Sequence, residues 1–138
     1  MKLDNYNFSR KIVLIFAVII WQSSLGTTYA KADLSNAMSV NLSQNGYAKF
    51  NNGLLIQWGY SSSSSGSKTI YMPTSFYDVN YSMQITFKTA SNISSVISPY
   101  IVSQSTSYFV MKGRYIATNS ATGDTTDPFT WFAIGRWK

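Results

Sequence analysis

From Ser82 to Lys88 apolar and polar side chains take strict turns: Met83, Ile85 and Phe87 alternate with Ser82, Gln84, Thr86 and Lys88. A period of two is the period of a pleated strand, which sends successive side chains to opposite faces, so this segment buries one row and wets the other. Much of the chain from Gly53 onward shares that texture. Short runs rich in Ile, Val, Thr, Tyr, Phe and Trp are broken by clusters of Ser, Gly, Asn, Asp and Pro, the pattern of an antiparallel sandwich or barrel.

Besides 82–88, strands are expected over residues 53–59, 68–72, 98–102, 108–111, 114–118 and 129–135, with hairpin-length connections. The expected fold class is all-β, a small antiparallel β-sandwich of about six to eight strands. No segment of this region has the period of an amphipathic helix. Residues 60–67, with their run of serines, and 119–128, with Gly-Asp and Asp-Pro dipeptides, are expected as loops.

Ahead of this region the chain changes character. Lys2, Arg10 and Lys11 precede an unbroken apolar run from Ile12 to Trp21, and a polar stretch leads to Ala30-Lys31-Ala32. Charge, apolar run and small-residue cleavage site stand in the order of a secretory signal peptide, so residues 1–32 are expected to be a removable leader. At about 1.5 Å per residue the run covers only about half of a bilayer's hydrocarbon core, so no stable membrane span is expected. Residues 33–52, polar and small with Asn45-Gly46 as a turn signal, read as a lead-in, and 53–138 as the folded domain.

The formal net charge of +6 is partly the leader's. Beyond it Lys49, Lys68, Lys88, Lys112, Arg114, Arg136 and Lys138 stand singly, with no stripe to neutralise a run of phosphates, and nucleic-acid binding is not expected. Cysteine is absent, so no disulfide framework staples the domain, although an exported compartment would permit one. Burial is marginal at about a hundred residues, and oligomerisation would help.

Histidine is absent, and all five acidic residues are aspartates. That composition removes the imidazole base, the thiolate and the Cys/His zinc set, and leaves a serine nucleophile without a histidine to activate it. Asp124 and Asp127 lie close together in Gly-Asp-Thr-Thr-Asp-Pro. Calcium loops need about six to eight oxygens in a set order, so this segment reads as a solvated turn. Asp78 paired with a loop aspartate is the one glycosidase-like option, and nothing in the spacing supports it. The expectation is a binding protein, not an enzyme, without cofactor or metal.

What remains distinctive is the aromatic content: beyond residue 32 the chain has eight tyrosines, six phenylalanines and three tryptophans, more rings than so small a sandwich must bury. Trp58, Phe76, Phe87 and Trp131 sit in or beside strand runs and are expected in the core or a subunit interface. Tyr77, Asp78, Asn80 and Tyr81 cluster in a turn-like stretch between two strands. Rings with polar tips beside short polar groups suit a sugar or protein surface, and these four are the candidate ligand-binding residues.

Three motifs carry a family resemblance. Asn52-Gly53-Leu54-Leu55-Ile56-Gln57-Trp58-Gly59 resembles the opening G-L-I-I-Q-W-G of the small C-terminal domain at the tips of tailed-phage tail fibres. Ile70-Tyr71-Met72-Pro73-Thr74-Ser75-Phe76 is similar to that family's V-T-F-P-x-x-F element, and Trp131-Phe132-Ala133-Ile134-Gly135 to its closing W-x-A-I-G. They stand in order over residues 53–137. H-type lectins share the Phe-Pro strand and the Trp-x-Ala-x-Gly ending in weaker form. The resemblance implies a homotrimeric β-sandwich that recognises a cell-surface glycan or another envelope component, secreted or virion-associated. A structural trimerisation cap without its own ligand is the alternative. Fibre proteins carry a long shaft ahead of this tip, where the present sequence has a leader: either the domain is recruited as an exported bacterial protein, or the sequence is that of a truncated prophage gene with a coincidental hydrophobic start.

Overall fold

A computed structural model describes Ile19 and residues 29–62, 66–89 and 94–138. The expected leader lies almost wholly outside the described residues, as does part of the serine run. The chain divides into two compact units, residues 1–38 and 39–138. The described part of the first is a set of tight turns: the Leu34 amide donates to Lys31 O at 2.9 Å, and Asn36 Oδ1 accepts from the Lys31 amide at 2.8 Å.

Nine strands are found among the described residues: β1 (Met38–Asn41), β2 (Gly46–Phe50), β3 (Leu54–Ser61), β4 (Lys68–Tyr71), β5 (Ser82–Phe87), β6 (Ser95–Gln104), β7 (Tyr108–Ala117), β8 (Thr122–Asp124) and β9 (Phe129–Arg136). One sheet has the order β1-β2-β3-β9-β5 and the other β4-β7-β6, with β8 also paired to β7. The pairs β2–β3, β3–β9, β4–β7, β5–β9, β6–β7 and β7–β8 are antiparallel. The fold is the expected all-β sandwich.

The core follows from the alternation. Met83, Ile85 and Phe87 of β5 pair with Ala133, Trp131 and Phe129 of β9, and all six point inward. Phe109 and Met111 of β7 meet them from the second sheet, with the Phe109 ring edge-on to Trp131 at 5.6 Å. Edge-to-face geometry of this kind adds roughly 0.5–1.5 kcal/mol to simple burial.

Several elements depart from the sequence expectation. The lead-in carries β1 and β2, and its boundary at Asn52 falls within the β2–β3 hairpin, where the Gly53 amide donates to Phe50 O at 3.0 Å. Cross-strand pairing to β3 supplies what the weak local pattern lacks. The stretch 119–128 holds β8, short enough to escape a periodicity test. Residues 108–111 and 114–117 belong to one strand, because Gly113 marks a close approach and not a turn: a Cβ there would collide with the Phe87 ring and the Thr125 methyl. Strand β6 is a sheet edge, and it carries Pro99 and a register shift between Ile101 and Ser103, both of which deter further pairing.

Trp58 is not a core residue. Strand β3 turns Leu55, Gln57 and Gly59 inward and leaves Trp58 half-buried on the outer face, its indole donating to Ser43 O at 3.2 Å. Gln57, fully buried, is satisfied there: its Oε1 accepts from the Thr74 amide at 3.0 Å and its Nε2 donates to Met72 Sδ at 3.7 Å. Phe76 and Trp131 are buried and Phe87 packs against the core, as expected.

Candidate functional site

The two sheets present very different outer faces. On the larger sheet the outward row of β3, Leu54, Ile56, Trp58 and Tyr60, pairs with Arg136, Ile134, Phe132 and Thr130 of β9. Ile56–Ile134 and Trp58–Phe132 therefore form an apolar stripe, flanked on β5 by Ser82, Gln84 and Thr86.

The outer face of the smaller sheet is aromatic and charged. Tyr71 of β4 and Tyr108 of β7 are register partners with ring centroids 5.9 Å apart, tilted by 57°. Tyr71 is 76% exposed. Further along β7, Lys112 pairs with Tyr100 of β6, and Arg114 lies between Ser98 of β6 and Asp124 of β8. Lys112 Nζ and Arg114 Nη1 reach Asp124 at 3.0 and 3.2 Å. The Lys112 hydrogen bond, with help from Arg114, holds the Asp124 carboxyl below its ordinary value, against a smaller opposing effect of desolvation. Flat rings with hydroxyl tips next to a fixed charge cluster form a surface that can stack on and hydrogen-bond to a partner.

The four residues singled out in sequence divide. Tyr77, Asp78 and Asn80 share an exposed turn, and the fold brings Arg136 to them from the end of β9. Arg136 Nη2 and Nε donate to Asp78 Oδ2 at 2.6 and 3.0 Å, while the Asn80 amide donates to Asp78 Oδ1 at 2.8 Å. The guanidinium stands 4.5 Å from the Tyr77 ring centroid, and the Tyr77 amide donates to Arg136 O at 2.8 Å. Arg136 first, then the Asn80 amide, lower the Asp78 carboxyl below its ordinary value.

Tyr81 is different: it belongs to the core at 7% exposure, its ring stacked on Phe76 at 4.2 Å and its hydroxyl donating to Ser105 O at 2.9 Å. Burial pushes this phenol up to about 12, so it remains a donor. Sequence reasoning missed Tyr71, Tyr100 and Tyr108, whose outward direction emerges only from the register of β4, β6 and β7. It missed Arg136 because no local pattern links it to Asp78.

Residues 49–136 match the family model described as "Putative tail fiber protein gp53-like, C-terminal". The match covers more than half of the chain. This chain belongs to that tail-fibre C-terminal family. The tail-fibre domain is also similar in structure to an N-truncated R2-type pyocin tail fiber, at 18% identity and a TM-score of 0.57, covering 78% of this chain and 44% of that one. It is similar again to the C-terminal part of a P. aeruginosa R2 pyocin fiber, at 18% identity and a TM-score of 0.56, covering 78% of this chain and 30% of that one. Both likenesses speak to the fold alone, and the chain spans less than half of each relative. No curated protein matches it in sequence. Among the described residues of the tail-fibre domain, no helix is long and apolar enough to cross a membrane and no three metal-ligating side chains cluster.

Proposed function

We propose that this domain is the receptor-binding tip of a trimeric fibre and that it recognises cell-surface carbohydrate without catalysis. The observation that carries the reading is the exposed pair Tyr71 and Tyr108, with Tyr100 further along the same sheet face. A tyrosine ring lies flat against the apolar face of a sugar ring while its hydroxyl reaches the sugar's polar rim, at a low entropy cost because only two torsions must be fixed. Family membership gives the setting, since a fibre tip meets the envelope of a target cell. The protein then acts outside its producer, exported by the leader of residues 1–32 or carried on a virion.

Assembly uses the other sheet. The stripe of Ile56, Ile134, Trp58 and Phe132 is apolar where a lone domain would meet water, and laying three such faces around an axis removes them from it. Three copies also multiply a weak single contact into avidity. A structural cap would explain the stripe and leave the tyrosine face without a role. Glycan-array binding by the purified chain, with light scattering for its mass, tests both parts. Tyrosine-dependent hits from a trimer support the reading, and a blank array or a monomer removes it.

A further inference from the structure

The smaller sheet is longer than the larger one. Beyond Gly113, opposite Phe87, strands β6 and β7 continue through pairs Ile97–Tyr115 and Ser95–Ala117, while β5 ends at Phe87 and β9 begins at Phe129. Among the described residues, no strand of the larger sheet covers the inward side chains of this overhang. Residues 124–127 bend over them instead, anchored where the Thr125 amide donates to Gly113 O at 2.9 Å. Between segment and sheet lies a cavity of about 180 Å³ lined by Ser95, Ile97, Tyr115, Asp124, Thr125, Thr126 and Asp127.

Its chemistry is ordered. Gly123 packs directly on Tyr115, and a Cβ there would sit 2.9 Å from the ring carbon Cε1 and from the hydroxyl, so the ring is pinned as one wall. Thr125 Oγ1 donates to Asp127 Oδ2 at 3.0 Å and accepts from the Asp127 amide at 3.1 Å. Those two bonds orient the carboxylate and leave Oδ1 without a partner among the described residues. Thr126 and Ser95 complete the lining. A cavity near 150 Å³ holds a bare six-membered ring, so a space of about 180 Å³ admits the ring of one pyranose with its outer hydroxyls projecting to solvent.

We infer that this cavity is a subsite for one neutral pyranose unit, placed with its C–H face on Tyr115 and its vicinal hydroxyls shared between Asp127 and Thr126. It rests on the carbohydrate reading above and lies on the opposite side of the sheet from the tyrosine face. A carboxylate accepts two sugar hydroxyls well, because both of its oxygens only accept. The Asp127 carboxylate repels uronic and sialic acids, whose charge has the same sign, whereas Asp124 is already neutralised by Lys112 and Arg114.

The test titrates the full chain with galactose, glucose, mannose, N-acetylglucosamine and glucuronate separately, following backbone amide shifts. Saturating shifts at Gly123, Thr126 and Asp127 with at least one neutral sugar, and none with glucuronate, are expected. Asp127→Asn should weaken that sugar roughly tenfold, the size of one charge-assisted hydrogen bond. Thr126→Trp, an exposed site, should abolish it with amide dispersion retained. Shifts confined to residues around Tyr71 and Tyr108 would overturn the subsite and leave the carbohydrate reading intact. No shift with any sugar, together with a blank glycan array, would overturn both.

Discussion

Arg136 and Asp78 stand 58 residues apart in the chain, yet Arg136 Nη2 and Nε both bond one carboxylate oxygen of Asp78, at 2.6 and 3.0 Å. The pair closes the turn carrying Tyr77 onto the end of β9. It also explains why Asp78 is poorly placed to bind a ligand directly: Oδ2 is held by arginine and Oδ1 by the Asn80 amide. The turn displays Tyr77 and Asn80, and Asp78 holds it in shape.

This pairing makes stability depend on acidity in one direction. The Asp78 and Asp124 carboxyls titrate below their ordinary value of 3.8 in the folded chain. A group depressed on folding stabilises the native state above its unfolded value, and that contribution is lost as pH falls through its folded value. Thermal midpoints should therefore hold level above about pH 5 and fall as pH drops below 3.8. Asp78→Asn should flatten part of that fall, and a curve no flatter than the parent's would show that the pair is energetically idle.

Gly113 should tolerate nothing larger. Gly113→Ala places a methyl against Phe87 and Thr125 at the point where the sheets meet. Overpacking of a formed core costs roughly 1–3 kcal/mol, and urea unfolding should report a lowered midpoint of that size. The same glycine shows why one strand looked like two in sequence. Gly beside Lys112 reads as a break, and only the opposing Phe87 ring reveals that a missing side chain, not a bend, is what the position needs.

Gln57→Ala should cost roughly 1–3 kcal/mol for the unpaired Thr74 amide alone, more than an exposed glutamine such as Gln84. Denaturant midpoints of the two variants make the comparison, and equal values would mean that water enters to replace the amide. Gln57 also marks the limit of reading this fold from its sequence. The strict alternation of Met83, Ile85 and Phe87 gave the right inward row for β5, because apolar side chains there do face the core. In β3 the apolar residues Ile56 and Trp58 face outward while Gln57 and Gly59 face inward, so hydrophobicity alone assigns the faces in reverse. Tyr81 fails likewise, as its neighbours Asn80 and Ser82 are exposed while its own ring stacks on Phe76.

The reversed faces of β3 lead to an assembly prediction. Ile134→Lys or Phe132→Glu puts a charge into the outward stripe without touching the core, whose inward neighbours are Trp131, Ala133 and Gly135. If three copies join through this stripe, either variant should sediment as a folded monomer with an unchanged circular dichroism spectrum. A trimer that survives both substitutions would place the interface elsewhere.

The tyrosine face should separate binding from folding. Tyr71 is 76% exposed, and its ring meets Tyr108 at 5.9 Å, so truncation removes a solvent-facing platform and little core. Surface substitutions away from core and caps stay within about 0.5 kcal/mol, and Tyr71→Ala should melt with the parent chain. Binding should respond far more. Rings at the centre of a contact carry about 2 kcal/mol or more each when removed, a loss of roughly thirtyfold per site, and avidity compounds that loss across an assembly. Adhesion of labelled protein to target cells, compared for Tyr71→Ala and Tyr71→Phe, is the measurement. Phenylalanine keeps the stacking surface and drops the hydroxyl, so partial retention by Tyr71→Phe is expected where Tyr71→Ala loses nearly all. Equal adhesion by all three proteins would take the receptor contact off this sheet face.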